Sequence, residues 1–205
     1  MRTMLFALAV AVLAQPVAAQ DEEFKRPDDW VVRFDRADAD ESALYFVSMP
    51  PGWHITTGPA AIFYDPTRVV DGQYNITSEV YLFPGERKEA FGVFLGGQAL
   101  DGAAQRYTYF LIRKDGQFLI KRRGGSETPT LHPWTEHSAI LKHDGGEGTA
   151  KNVIEIHVRA REVHFLVNGE TVASLPKSEV DTEGVVGLRV NHSRNLHVTN
   201  LEIER

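Results

Sequence analysis

The sequence contains no cysteine, so no disulfide braces it and no thiolate serves as a nucleophile or soft metal ligand. Its stability has to come from core packing. It is short of positive charge: 22 Lys and Arg stand against 28 Asp and Glu, for a net charge of -6. That balance argues against general nucleic-acid binding, which needs a clustered basic face to release counterions. There is no Gly-x-Ser-x-Gly elbow and no phosphate-binding loop, which removes the common serine-hydrolase and nucleotide-binding classes. No stretch keeps a three-to-four apolar spacing over ten residues, so amphipathic helices are not expected. Long apolar runs are also missing, apart from the first twenty residues.

Those residues form a unit. Met1-Arg2-Thr3-Met4 gives a short positive start, Leu5 to Ala14 is uninterrupted apolar sequence, and Pro16 precedes Val17-Ala18-Ala19. The run is too short to span a bilayer stably, and small residues precede a cut after Ala19. The pattern predicts a signal peptide over residues 1–19, hence a secreted or periplasmic protein with no membrane attachment after cleavage. The alternative is an uncleaved N-terminal anchor. The cut has no Cys beside it, so no lipid is attached there. Cleavage removes Arg2 alone among the charges, leaving 21 basic and 28 acidic residues and a net charge of -7. Asn75-Ile76-Thr77 and Asn191-His192-Ser193 are glycosylation sequons only if the host is eukaryotic.

Residues 20–42 read as a polar lead-in whose apolar middle, Trp30, Val31, Val32 and Phe34, docks as an edge strand. From residue 43 to 205 short apolar runs are punctuated every ten or so residues by Gly, Pro or Asp-Gly, the spacing of an all-β sandwich. The expected strands are 44–48, 53–56, 60–64, 74–83, 90–96, 106–113, 117–123, 137–141, 152–159, 163–168, 171–175, 184–191 and 196–204. Asp115-Gly116 and Asn168-Gly169 suit tight hairpins, because both tolerate positive φ. Alternation points Tyr74, Ile76, Val80 and Leu82 inward, and Asn75, Thr77, Glu79 and Tyr81 outward. Residues 106–113 are apolar on both faces, so that strand should be central and covered on both sides. Residues 124–134 form the longest interruption.

With these strands in place, Val163-His164-Phe165-Leu166-Val167-Asn168-Gly169, then Gly184 to Val190 and the closing run Leu196 to Ile203, resemble the hairpin and last strands of the concanavalin A-like lectin/glucanase superfamily. The order is similar to laminin-G-like domains and to secreted 3-keto-disaccharide hydrolases. Where that hydrolase family places a Gln and a His on the penultimate strand, this chain has Arg189-Val190-Asn191-His192, with the His and no Gln. The resemblance implies an all-β, two-sheet antiparallel jelly roll. It also implies a carbohydrate or glycan-bearing partner on the outer face of one curved sheet.

The candidate ligand-binding residues are Glu79, Tyr81, Tyr109, Arg113, Lys121, Trp134, His157, Arg189 and Asn191. Aromatic rings can stack on a sugar, though they more often fill cores; Tyr107 shares that ambiguity, Trp53 beside Pro50-Pro51-Gly52 is expected to be buried, and Trp134 in the long interruption is the better binding candidate. The charged members double as ordinary salt-bridged surface. Lys121-Arg122-Arg123 is a short basic run that could meet an acidic polysaccharide. Glu179-Val180-Asp181-Thr182-Glu183 resembles the catalytic strand of laminarinase-type glycosidases. Retaining hydrolysis needs carboxyl groups about 5–5.5 Å apart, whereas i and i+4 of a strand are roughly 13 Å apart at the backbone. With Pro176 before it and Gly184 after it, the segment reads as an exposed acidic loop. His132, His137 and His143 fit no zinc spacing and read as a solvated loop. No cofactor is indicated. A structural calcium remains open through loop carbonyls and Asp side chains, without a dense Asp/Asn/Gly ligand loop to hold it.

Three functions follow as expectations. The first is an exported glycan-binding jelly roll without chemistry of its own. The second is a glycoside hydrolase using Glu79 as acid or base, with Arg113, His157 or Arg189 positioning the sugar. The third is a periplasmic structural or interaction domain.

Overall fold

The computed structural model describes residues 24–205. The expected signal peptide therefore lies outside the described residues. The strands are β1 (Val31–Phe34), β2 (Leu44–Ser48), β3 (Trp53–Thr57), β4 (Ala61–Val70), β5 (Tyr74–Leu82), β6 (Ala90–Gln98), β7 (Arg106–Arg113), β8 (Gln117–Gly124), β9 (Thr130–Glu136), β10 (Ala150–Val158), β11 (Glu162–Val167), β12 (Glu170–Pro176), β13 (Gly184–Val190), β14 (Arg194–Val198) and β15 (Glu202–Glu204). Among the described residues there is no α-helix, only single 3-10 turns at Glu41–Ala43 and Lys177–Glu179.

All pairings are antiparallel. A seven-stranded sheet runs β1-β4-β13-β6-β7-β8-β9, and an eight-stranded sheet runs β12-β11-β10-β5-β14-β3-β2, with β15 also on β5. This is the two-sheet sandwich that the alternation predicts. β5 shows the period cleanly, with Tyr74, Ile76, Ser78, Val80 and Leu82 buried and the residues between them only partly so. Phe63, Val93, Phe110 and Leu188 from one sheet pack with Ile76, Ile156, Phe165 and Leu196 from the other in the main core. β7, third from one edge of its sheet, is buried on both faces. Asn168 and Gly169 turn the β11–β12 hairpin with φ of 52° and 81°.

Several local expectations are corrected. Residues 137–141 form turns, not a strand. Their polar groups are taken by side chains: Leu141 N donates to Asn152 Oδ1 at 2.9 Å, and Asn168 Nδ2 donates to the Ala139 carbonyl at 2.7 Å. The pairing edge of β8 is instead taken by β9, which lies partly inside the expected 124–134 interruption. The closing run splits into β14 and β15, which share one edge of β5. Between them Thr199 N donates to the Glu79 carbonyl, while Asn200 Oδ1 accepts from Glu79 N.

The acidic segment 179–183 is not a simple exposed loop, because Val180, Asp181 and Thr182 are buried. Asp181 is drawn in by Arg122, which donates to both its carboxylate oxygens at 2.8 and 2.9 Å. Nor do the three histidines form a solvated loop. His132 stacks on Phe118 with centroids 4.7 Å apart, and buried His143 places Nε2 2.8 Å from the Gly148 carbonyl.

Candidate functional site

The seven-stranded sheet buries its outward face as well. Ile62, Tyr64, Phe94, Tyr107, Tyr109 and Leu111 form a second apolar cluster, joined by Leu100 from the β6–β7 loop. Strand register explains the grouping. One row across the sheet reads Arg33, Ile62, Arg189, Gly92, Leu111, Leu119, and the next reads Val31, Tyr64, Gly187, Phe94, Tyr109, Lys121. Tyr107 lies opposite Arg123 one step further. At Gly187 the missing side chain lets two rings approach. Tyr64 and Phe94, its neighbours on either side, meet edge to face at 6.2 Å. A Cβ at Gly187 would lie 2.5 Å from the Phe94 ring. The aromatic series continues from Phe94 to Tyr107 at 5.1 Å and on to Tyr109 at 5.8 Å.

Arg189 organises the polar part. Its side chain is 8% exposed and donates to both oxygens of Asp35 at 2.5 Å. Its guanidinium lies 5.8 Å from the Tyr109 ring centroid. Burial pushes the Asp35 carboxyl up, but the Arg189 bonds and the charges of Arg189, Arg123 and His192 outweigh it, holding the group below the usual carboxylate range. Burial pushes the Tyr109 hydroxyl up to about 12, against the pull of Arg189 and Arg123. Tyr107 and Tyr64 are also raised by burial, so all three phenols stay neutral donors and acceptors at physiological pH. Among the described residues, buried Arg189 Nε and Asn191 Oδ1 have no hydrogen-bond partner.

Two adjoining clefts open along the β1 margin of this face, between β1 and the β6–β7 loop. The larger, about 460 Å³, is lined by Arg33, Asp35, Tyr64, Leu100 and Asp101 among others. The smaller, about 280 Å³, shares Val31, Tyr64, Leu100 and Asp101. Arg33 donates to the Leu100 carbonyl and ties the loop to the edge strand.

The residues singled out from the sequence fall on two opposite faces of the molecule. Tyr109, Arg113, Lys121 and Arg189 share the outward face of the seven-stranded sheet, with Asn191 just beyond β13. Trp134 joins them at the β9 margin, with the Arg113 guanidinium 4.4 Å from its ring centroid. Glu79, Tyr81 and His157 lie on the eight-stranded sheet, where Tyr81 pairs with Lys151 and His157 with His164. Glu79 is bonded by Lys151, and its Oε1 accepts from Tyr81 at 3.1 Å and Thr199 at 3.2 Å. The Lys151 ammonium, with the two hydroxyls, holds this carboxyl below its ordinary range although partial burial opposes the shift. An ionised carboxylate already filled by donors is poorly suited to give a proton. His157 Nε2 is 3.3 Å from Glu155 Oε2. The sequence reading grouped Glu79 with Arg113 and Arg189; the structure does not bring them together.

Asp35, Arg33 and Tyr64 are not among the residues singled out from the sequence, and Arg123 is named there only as part of the basic run 121–123. The signal for Asp35 was its parity: Arg33 and Asp35 alternate with Val32 and Phe34, so they share the face that β1 turns outward. Trp53, expected to be buried, packs on Trp30 at 4.6 Å and lies partly buried against the main core. Among the described residues, no group of three or more His, Asp or Glu side chains could hold a metal ion.

Solved structures share this architecture. The carbohydrate-binding module CBM66 from Bacillus subtilis matches with a TM-score of 0.63 at 10% identity, over 86% of this chain and 96% of the module. The GH16 protein of the Bacteroides ovatus mixed-linkage glucan PUL, in complex with its product, matches with a TM-score of 0.61 at 6% identity, over 88% and 96%. A Bacillus subtilis protein with a galectin-like fold matches with a TM-score of 0.56 at 10% identity, over 86% and 89%. No protein-family model and no curated protein sequence matches the chain. At these identities the likeness is one of fold alone, a two-sheet antiparallel jelly roll.

Proposed function

We propose that this protein is an exported module that binds a glycan on the outward face of its seven-stranded sheet and performs no chemistry on it. The observation that carries the reading is the meeting of the Asp35–Arg189 pair with the Tyr64, Phe94, Tyr107 and Tyr109 rings beside two open clefts. Sugars present apolar ring faces edged by hydroxyls. The rings are almost wholly buried (Phe94 0% and Tyr107 1% exposed), so what this face offers a sugar is the fixed polar groups above them and the cleft margin lined by Tyr64 and Asp35. The solved carbohydrate-binding module of the same fold supports the class. Export is supported by the Met1–Ala19 sequence; Gln20 as the first residue of the secreted protein would verify the cut.

The test is affinity electrophoresis of the exported protein through gels carrying neutral and acidic polysaccharides. Retardation by at least one polymer, abolished by Tyr109→Ala with the fold intact by circular dichroism, is expected. Migration unchanged in every gel at millimolar sugar would overturn the reading. Hydrolysis of a retained polymer would overturn the non-catalytic part alone.

A further inference from the structure

Alternation divides the basic run on β8. Arg122 turns inward to Asp181, whereas Lys121 and Arg123 point outward beside Tyr109 and Tyr107. Among the described residues neither outward cation forms an ion pair with a carboxylate. The Lys121 ammonium donates to Thr128 Oγ1 at 3.1 Å, and Arg123 Nε donates to the Gly125 carbonyl at 2.7 Å. On the opposite margin Arg33 meets the Leu100 carbonyl. Arg189, between them, is neutralised by Asp35. In a chain of net charge -6, this face thus carries three cations, Arg33, Lys121 and Arg123, whose hydrogen-bond partners among the described residues are neutral. Burial and the Asp35 carboxylate push the Tyr107 hydroxyl up, while Arg189, Arg123 and Arg33 pull it down. A planar guanidinium keeps free N–H groups in a fork that matches a carboxylate.

We infer that the ligand is an acidic glycan bearing carboxylates, a polyuronate, with Arg123 and Lys121 reading the carboxylate above the buried tyrosines. This rests on the glycan-binding reading above and adds the ligand class.

The test compares retention of the wild-type protein on carboxylated polymers (polygalacturonate, alginate, hyaluronan), on methyl-esterified polygalacturonate, on neutral polymers (mixed-linkage glucan, levan, galactan) and on dextran sulfate. Retention by a carboxylated polymer that exceeds every neutral one, and weakens with added salt, is expected. Arg123→Ala and Lys121→Ala should each weaken it by about tenfold, the size of one charge-assisted hydrogen bond. Lys151→Ala, on the opposite sheet, should leave it unchanged, which separates a site from diffuse charge attraction. A preference for neutral or esterified polymers, or retention by dextran sulfate alone, would overturn the polyuronate inference while the glycan-binding reading stands. An equal loss in Lys151→Ala would overturn the assignment of the site. Retention by none of the polymers would sink both.

Discussion

Asp35 and Arg189 stand 154 positions apart in the chain and meet through two parallel hydrogen bonds of 2.5 Å. The pair joins the end of the lead-in strand to the middle of the sheet. It fixes the guanidinium against Tyr109, where a sugar would be held. Removing the carboxylate leaves Arg189 buried without its counter-charge, the more damaging way to break such a pair. Asp35→Asn should therefore cost about 2–4 kcal/mol of stability at neutral pH. The pH dependence gives a second check. The folded value of Asp35 lies below the 3.8 of an ordinary carboxyl, so its stabilisation is complete above that value and is lost as pH falls through the folded one. The gap between wild type and Asp35→Asn in urea melts should be widest near pH 7 and close below about pH 4. A gap that stays constant down to pH 3 would refute the electrostatic account.

Tyr109 separates recognition from stability. Its ring is buried in the outer cluster, yet among the described residues its hydroxyl has no hydrogen-bond partner. Tyr109→Phe keeps the ring and should shift stability by less than about 0.5 kcal/mol. It should weaken glycan retention several-fold, since a hydrogen bond to the ligand is lost. The hydroxyl is pushed up to about 12, so retention should not change between pH 7 and pH 10 on its account. A titration in that range that Tyr109→Phe removes would contradict this environment.

Glu79 tests whether the opposite sheet takes part. Its carboxylate is bonded to Lys151, Tyr81 and Thr199 on a half-exposed surface. Surface pairs of this kind contribute little. Glu79→Gln should lower stability by less than about 1 kcal/mol and leave polysaccharide retention as it was. Loss of binding in this variant, with an unchanged melting temperature, would move the site to the other face.

The contrast between Glu79 and Arg189 shows where sequence reading reaches its limit. Period-two alternation follows from the pleat, so the outward face of Glu79 on β5 was legible, as was the burial of both faces of the strand that carries Tyr109. Outward from which sheet was not. Strand partners are set by long-range pairing, and nothing local distinguishes β5, in the eight-stranded sheet, from β7, in the seven-stranded one. Asp35 was hidden for a related reason. It follows a strand of only four residues in a charged lead-in, and its partner lies near the other end of the chain. The hairpins were legible because Asn168-Gly169 encodes its own backbone geometry. Residues 137–141 misled because Ile140 docks into the main core from a turn whose backbone is held by Asn152 and Asn168, not from a strand ladder.

That docking makes Asn168 more than a turn residue. Its φ of 52° suits the hairpin. Its Oδ1 accepts from Val153 N at 2.8 Å, while its Nδ2 donates to the Ala139 carbonyl at 2.7 Å and to Asn152 Oδ1 at 2.9 Å. Buried Asn152 passes the connection on, donating to the Leu141 carbonyl and accepting from Leu141 N. Asn168→Gly preserves the positive φ and deletes the three side-chain bonds, so it isolates the network from the turn. At about 1 kcal/mol for each bond, the loss should approach 2–3 kcal/mol. Hydrogen exchange should quicken at Leu141 and Val153 while the β11–β12 ladder keeps its protection. If Asn168→Gly is as stable as the wild type, the segment 137–141 is held by its apolar contacts alone, and the polar network has no part in positioning it.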